Sequence, residues 1–369
     1  MRLNPEYYEV SRFAFRGRLR NYAKTCGWVL CVGAGTSESI FPSWNGLAEK
    51  LLALTDVKCS RSVLTRFIQS FGAQAVIQAA ANLLSPDEQE QIPQYLEKAI
   101  YHDIQSAAGG RWPVIAKALS SSKPFNLTLE EWQQFHDFIA GFKNSSASSI
   151  ASVIADVVNT DSRPEGIITF NAEPLLYGLI NCHYALKNPK SVKDSKAKVL
   201  KRLSHDLASR QRGQVPYYYV HGLLPVPDAR PGFNQHIGVD KLVFTESQYL
   251  QLSRSVYSWQ SATFLSSCLH HRCVFVGLSF ADPNLRRWLA WEHEGRHLQR
   301  QRRQMPVKRT THFWLKRRPH KRQAKLSAEQ RLVERSVEHL GVQVIWLDDW
   351  SEAGEILSLM LETVKEQKE

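Results

Sequence analysis

The sequence is poor in the features that mark several common protein classes. Its six cysteines, Cys26, Cys31, Cys59, Cys182, Cys268 and Cys273, form no CxxC pair. A zinc ribbon or a thioredoxin-type redox site therefore has no ligands at usable spacing, and no metal is expected. No run approaches the ~18 apolar residues needed to span a bilayer. The N-terminal stretch MRLNPEYYEVSRFAFRGRLR has no apolar core of a signal peptide. The expected location is the cytoplasm, with no membrane partner, and the thiols read as small buried hydrophobes. The glycine turn at residue 33 has no third glycine to complete the dinucleotide fingerprint, and no Lys stands at the P-loop position, which disfavours a Walker NTPase.

What is present is ordinary in bulk and uneven in charge. With 369 residues, 43% hydrophobic and 22% charged, the chain has room for one large domain or two ordinary ones. The net charge is +12, and residues 296–325 carry twelve Lys and Arg with no acid. That block, from Arg296 through Arg300, Lys308 and Arg318 to Lys325, fits contact with nucleic acid or an acidic partner, or equally a solvated face. Few base-stacking aromatics accompany it, which favours the solvated face.

The stretch WVLCVGAGTSESIFPSWNGL, residues 28–47, reads as strand, glycine turn and helix. Gly33-Ala34-Gly35-Thr36-Ser37 is the turn, and Ser43 is placed to cap a helix through Leu47 and Leu51. Such a unit can cradle a phosphate on backbone N–H groups, or it can be a plain βα connection. From about 58 the texture turns helical, with capping signatures at Ser85-Pro86-Asp87-Glu88 and Thr128-Leu129-Glu130-Glu131, and nothing before 158 reads as a strand. We expect a helical insertion over 58–159, dividing a domain formed by 1–57 and 160–369. Strand character returns at Gly166–Phe170, at Pro216–Val220, at Lys241–Thr245 and at Cys273–Gly277. It recurs at His312–Leu315 and Val342–Leu347, while 187–213 reads as a Lys-rich connection. Strands separated by helices predict an α/β fold, a parallel sheet covered by helices on both faces.

Four strand ends carry polar residues: Gly33–Ser37, Thr169–Glu173, His221-Gly222 and Gly277–Asp282. In a parallel sheet they share one edge, where open α/β sheets bind ligands. Here the chain resembles the sirtuin-like family of NAD-consuming domains, in its divergent bacterial branch. The resemblance rests on the GAG turn with Pro42 and Trp44 after it, on Thr169-Phe170-Asn171-Ala172-Glu173, on His221-Gly222, and on Gly277-x-Ser279-x-x-Asp282-Pro283-Asn284-Leu285. It covers roughly 28–57 and 160–350 and implies a Rossmann-like NAD-binding domain. Phe170 stands where deacylating members have Gln, and the four-cysteine zinc module is absent, so protein deacylation is not implied. Glu173 replaces the family's Asp and is one methylene longer.

The resemblance is to NAD+ hydrolases of antiphage defence, which act by NAD+ depletion. It implies Asn171 and His221 as catalytic: Asn171 positions a water or the nicotinamide ribose, and His221 accepts a proton. It implies binding of NAD+ by Gly33, Ala34, Gly35, Thr36, Ser37, Pro42, Trp44, Thr169, Glu173, Gly277, Ser279 and Asp282. The turn would hold the pyrophosphate and Ser279 the adenosine ribose. Homo-oligomerisation and a partner such as a HerA-like ATP-driven DNA translocase are expected on the same ground. Two alternatives stand beside this. One is a nucleotide-sensing subunit that docks on a nucleic-acid-associated partner through 296–325. The other is a serine hydrolase, because Gly277-Leu278-Ser279-Phe280-Ala281 approaches the G-x-S-x-G elbow. A helix beginning only at Pro283 would leave Ser279 in an open loop.

Overall fold

The computed structural model describes residues 10–143, 145–194, 197, 199–205, 210–229, 242–254, 258–305, 311–319 and 326–363. Its centre is a seven-stranded sheet: β1 (Trp28–Val32), β2 (Gly166–Thr169), β3 (Leu200–Leu203), β4 (Val215–Tyr219), β5 (Arg272–Val276), β6 (His312–Arg317) and β7 (Val342–Leu347). The strand order is β3-β4-β2-β1-β5-β6-β7, and every pairing is parallel. Val32 pairs with both Thr169 and Val276, and Thr169 with Tyr219, so the carboxyl ends of four central strands are level. The order reverses direction about β1, which places the ligand crevice above β1 and β5.

Alternation along the strands divides the core into two layers. Trp28, Leu30 and Val32 face one buried cluster together with Ile167, Tyr217 and Val274. Val29 and Cys31 face the other, with Ile168, Phe275 and Trp314. The first layer is covered by α1 (Arg18–Ala23), α2 (Trp44–Leu52) and the helices between β1 and β2: α3 (Arg61–Phe71), α4 (Ala73–Leu83), α5 (Pro86–Gln89), α6 (Ile92–Ala108), α7 (Trp112–Ser120), α8 (Leu129–Ala140) and α9 (Ala147–Val157). α10 (Leu175–Lys187) joins them, and α11 (Glu246–Arg254) follows β4. The second layer is closed by α12 (Trp259–His270), α13 (Pro283–Arg302) and α14 (Ala328–Glu338). The last helix, α15 (Glu352–Leu361), returns to the first layer and packs on α9. Among the described residues no helix is long and apolar enough to cross a membrane.

The capping signals act as read. Ser43 Oγ accepts the Gly46 N–H at 3.2 Å. Ser85 and Thr128 each form a complete capping box. Two expectations are corrected. The Lys-rich connection contains β3, whose Leu-Lys-Arg-Leu pattern is half-buried, as suits a sheet edge. Conversely, Leu242–Thr245 forms no strand, and Lys241 lies outside the described residues. β3 already occupies the edge of β4, so that segment has no strand to join and instead donates the Val243 N–H to the His221 carbonyl at 3.1 Å. The basic Lys308, Arg309, Lys321, Arg322 and Lys325 also lie outside the described residues.

Candidate active site

The β1 turn is a short 3₁₀ segment, Ala34–Ser37. Its amides are largely engaged within the protein: Gly33 N–H reaches Val276 O at 3.0 Å, Gly35 N–H reaches Gly277 O at 2.9 Å, and Thr36 N–H reaches Gly33 O at 3.0 Å. The glycines here serve loop-to-loop packing. A Cβ on Gly33 would stand 2.7 Å from Gly277 O, and one on Gly35 would stand 2.9 Å from Gly277 Cα. Gly277 itself has φ +68° and would place a Cβ 2.4 Å from Thr36 N. The turns after β1 and β5 therefore interlock through bare backbone, and the amides of Gly33, Gly35 and Thr36 have acceptors within the protein.

After β2 the chain runs through Phe170, Asn171, Ala172 and Glu173, all buried. Glu173 is the hub. One carboxylate oxygen accepts Ser37 Oγ–H at 2.6 Å and Asn171 Nδ2–H at 3.0 Å, and the other accepts Leu175 N–H at 2.5 Å. Burial raises its pKa, and these three donors work in the opposite direction. Glu173 thus accepts the first N–H of α10, whose N-cap residue is Pro174. Asn171 Nδ2 also donates to Gly33 O at 3.2 Å, which ties the β2 end to the β1 turn. Its Oδ1 is buried with no partner. Thr169 and Thr36 are turned inward: Thr169 Oγ1 accepts Asn171 N–H at 3.0 Å, and Thr36 Oγ1 donates to Gly33 O at 2.8 Å.

His221 follows β4 and is buried. Its ring stands edge-on to Phe170 at 5.1 Å and to Tyr249 at 5.3 Å. Burial in this aromatic slot pushes its pKa down to about 4, opposed by a backbone hydrogen bond with Phe170. Nδ1 has no partner. After β5, Asp282 Oδ1 accepts the N–H groups of Asn284 at 2.8 Å and Leu285 at 3.4 Å, capping α13. Ser279 is exposed, and its Oγ accepts Ala281 N–H at 3.2 Å. The helix starts at Pro283, four residues beyond Ser279, so the strand-to-helix elbow that would hold a serine nucleophile is not formed.

These strand ends border two adjacent spaces. A small pocket of about 40 Å³ is lined by Ala34, Ser37, Pro42, Trp44, Asn171 and Glu173, together with Phe41, Leu47, Ile100, Phe170, Ala172 and Phe244. A larger cleft of about 600 Å³ includes Gly33, Gly35, Trp44, Phe170, His221, Gly277, Ser279 and Asp282. Ala34, Trp44 and Phe170 line both. Of the residues expected from the sequence, all but Thr36 and Thr169 reach one space or the other. Sequence reasoning missed Tyr249 and Phe244, which enter from the segment after 241 and carry no motif, and Lys316, Arg317 and Trp350, which sit beyond the matched strand ends. Among the described residues no group of three or more His, Cys, Asp or Glu is placed to hold a metal ion.

A doubly covered parallel sheet with its cleft above the central strand ends defines a Rossmann-like α/β domain. The family model of the SIR2-like domain matches residues 167–342, so this part of the chain is similar to SIR2-like domains, which bind NAD+. The match includes Asn171, His221 and Gly277–Asp282, and begins after the β1 turn. No curated protein matches the chain.

Proposed function

We propose that the chain is an NAD+ glycohydrolase that cleaves the nicotinamide–ribose bond, with water as acceptor, to give nicotinamide and ADP-ribose. The supporting observation is that Asn171 and His221, at the ends of β2 and β4 beside Phe170, each present a buried acceptor with no protein partner, Oδ1 and Nδ1. A ribose hydroxyl and a water supply the donors that these atoms lack.

The chemistry fits this environment. As the C–N bond breaks, nicotinamide leaves as a neutral base with the bonding electron pair, and positive charge develops on the ribose. Water adds to the anomeric carbon and loses a proton. Water attacking such a cation is strongly acidic, so a weakly basic imidazole suffices to accept that proton and pass it to solvent. Positioning and electrostatics contribute more than nucleophile strength. Asn171 is held from behind by Gly33 and Glu173, and its Oδ1 can orient the water or a ribose hydroxyl. Glu173 acts as a positioning residue, since its carboxylate is committed to Ser37, Asn171 and Leu175.

Purified Asn171→Ala and His221→Ala should each reduce NAD+ loss by about a hundredfold or more while the native fold, read by circular dichroism, is kept. Unchanged turnover in either variant removes that residue from the mechanism. The biological role we attach is antiphage defence by NAD+ depletion, carried out as a homo-oligomer with a partner such as a DNA translocase. Cellular NAD+ measured with and without the neighbouring gene product, in parent and Asn171→Ala, tests it. The basic block of 296–325, twelve Lys and Arg with no acid, supports a second reading, a nucleotide-sensing subunit that docks through it. ADP-ribose binding with no NAD+ loss, even with the partner present, would select that reading.

A further inference from the structure

We propose that Lys316 and Arg317 read a phosphate on the adenosine ribose, so that the preferred dinucleotide carries a 2′-phosphate: NADP+ over NAD+. This rests on reading the cleft as the dinucleotide site. The sheet order supplies the placement. Asn171 follows β2, Gly33 follows β1, Gly277 follows β5, and Lys316 and Arg317 end β6. These are four successive strand ends, each about 4.8 Å from the next. A ligand with its nicotinamide ribose at β2 passes its pyrophosphate over β1 and β5 and brings its second ribose to β6.

Both cations line that end of the cleft, as does Trp350. Neither side chain makes a hydrogen bond or ion pair among the described residues. The Lys316 ammonium lies 4.7 Å from the centroid of the Trp314 ring. It is half-buried, and burial pushes its pKa down against the pull of Glu329. Arg317 feels Asp349 only through space. The next residue, Arg318, is by contrast buried against Asp348 at 2.5 Å. The described cleft lining holds two acids, Glu38 and Asp282, and Asp282 is engaged in capping α13. Two cations with no close carboxylate partner among the described residues, at one end of a cleft, fit a doubly charged anion better than the neutral ribose diol of NAD+.

The full chain should be titrated calorimetrically with NAD+, NADP+, AMP and 2′,5′-adenosine bisphosphate, alongside Lys316→Ala, Arg317→Ala and the double variant. The parent should bind NADP+ about tenfold or more tighter than NAD+, and the bisphosphate similarly tighter than AMP, with an advantage that shrinks as salt rises. The double variant should lose that advantage while its NAD+ affinity stays within about threefold and its melting temperature is unchanged. Equal affinity of the parent for NAD+ and NADP+ overturns the assignment and leaves the NAD+ site intact. So does a double variant weakened equally toward both, which would place the two cations on the pyrophosphate. Failure of every adenine nucleotide to bind overturns the reading of the cleft itself, and this assignment with it.

Discussion

His221 would be expected to titrate near 6.5 on an open strand end. Instead, the aromatic slot formed with Phe170 and Tyr249 holds its pKa at about 4. A depressed value keeps the imidazole neutral throughout the physiological range and costs the proton-accepting form nothing until the pH falls toward that value. The plot of kcat/KM for NAD+ loss should therefore be flat from about pH 5.5 to 8, and decline only as the pH approaches 4. An inflection near neutrality, absent in a His221 variant, would show that the working site is wetter than this one. Glu173 is the second residue whose surroundings decide its role. Its three bonds to Ser37, Asn171 and Leu175 use the full reach of a glutamate side chain. Glu173→Asp cannot keep all three, although aspartate is the residue expected from the family pattern. We expect it to lower activity about tenfold or more and stability by about 1–3 kcal/mol, read by NAD+ loss and thermal melting. Activity restored or raised by aspartate would show that the carboxylate contacts the ligand directly. The basic run likewise resolves into individuals: Arg296 pairs with Glu292 and donates to Cys268 O at 2.6 Å, so it is a structural cation and not part of an open stripe.

The turns after β1 and β5 form one interlocked unit. Gly277 is constrained twice, by its φ of +68° and by Thr36 N, which would stand 2.4 Å from a Cβ. Phe280 in the same loop holds φ +57° while its ring packs 4.5 Å from Trp314 and 5.1 Å from Phe275, so the strained backbone is held by aromatic contact. Gly277→Ala should cost about 1–3 kcal/mol and weaken dinucleotide binding more than it shifts the melt, because it forces apart the loops that border the cleft. Equal melting and binding to the parent would show that the loops are not coupled. The glycine turn, the strand ends and the helix caps could be read from the sequence because each follows from local chemistry: a φ, a donor, an apolar alternation. What could not be read depends on neighbours. β3 is a strand only because β4 offers an edge to Leu200–Leu203, and Leu242–Thr245 is not one because that edge is taken. Asn171 could be located but not oriented, since Gly33 and Glu173, which fix its amide, meet it only through the fold.

The helices between β1 and β2 share a continuous apolar layer with the sheet. Ile104, Ile115, Phe135 and Ile154 belong to the same buried cluster as Leu30, Val274 and Leu315. The tie closes at the other end of the chain, where α15 lies on α9 so closely that a Cβ on Gly354 would meet Ser149 Cβ at 2.6 Å and its carbonyl oxygen at 2.8 Å. Arg12 adds to that closure by bonding Glu352 at 2.7 Å and Asp348 at 3.2 Å. A core shared in this way argues that 58–159 gains its stability from the sheet and does not fold as a detached unit, because removing either partner would expose the other's apolar face. Gly354→Ala offers a direct test, since it perturbs only the crossing of α15 on α9. It should destabilise the chain by about 1–3 kcal/mol and move one cooperative transition, so that far-UV circular dichroism and tryptophan fluorescence report the same midpoint. Should the variant instead split the melt in two, with helical signal lost before the sheet, the insertion would be an independent domain resting on the nucleotide-binding edge. Its helices would then be free to move over the cleft that Ile68, Gly72 and Gln74 now border.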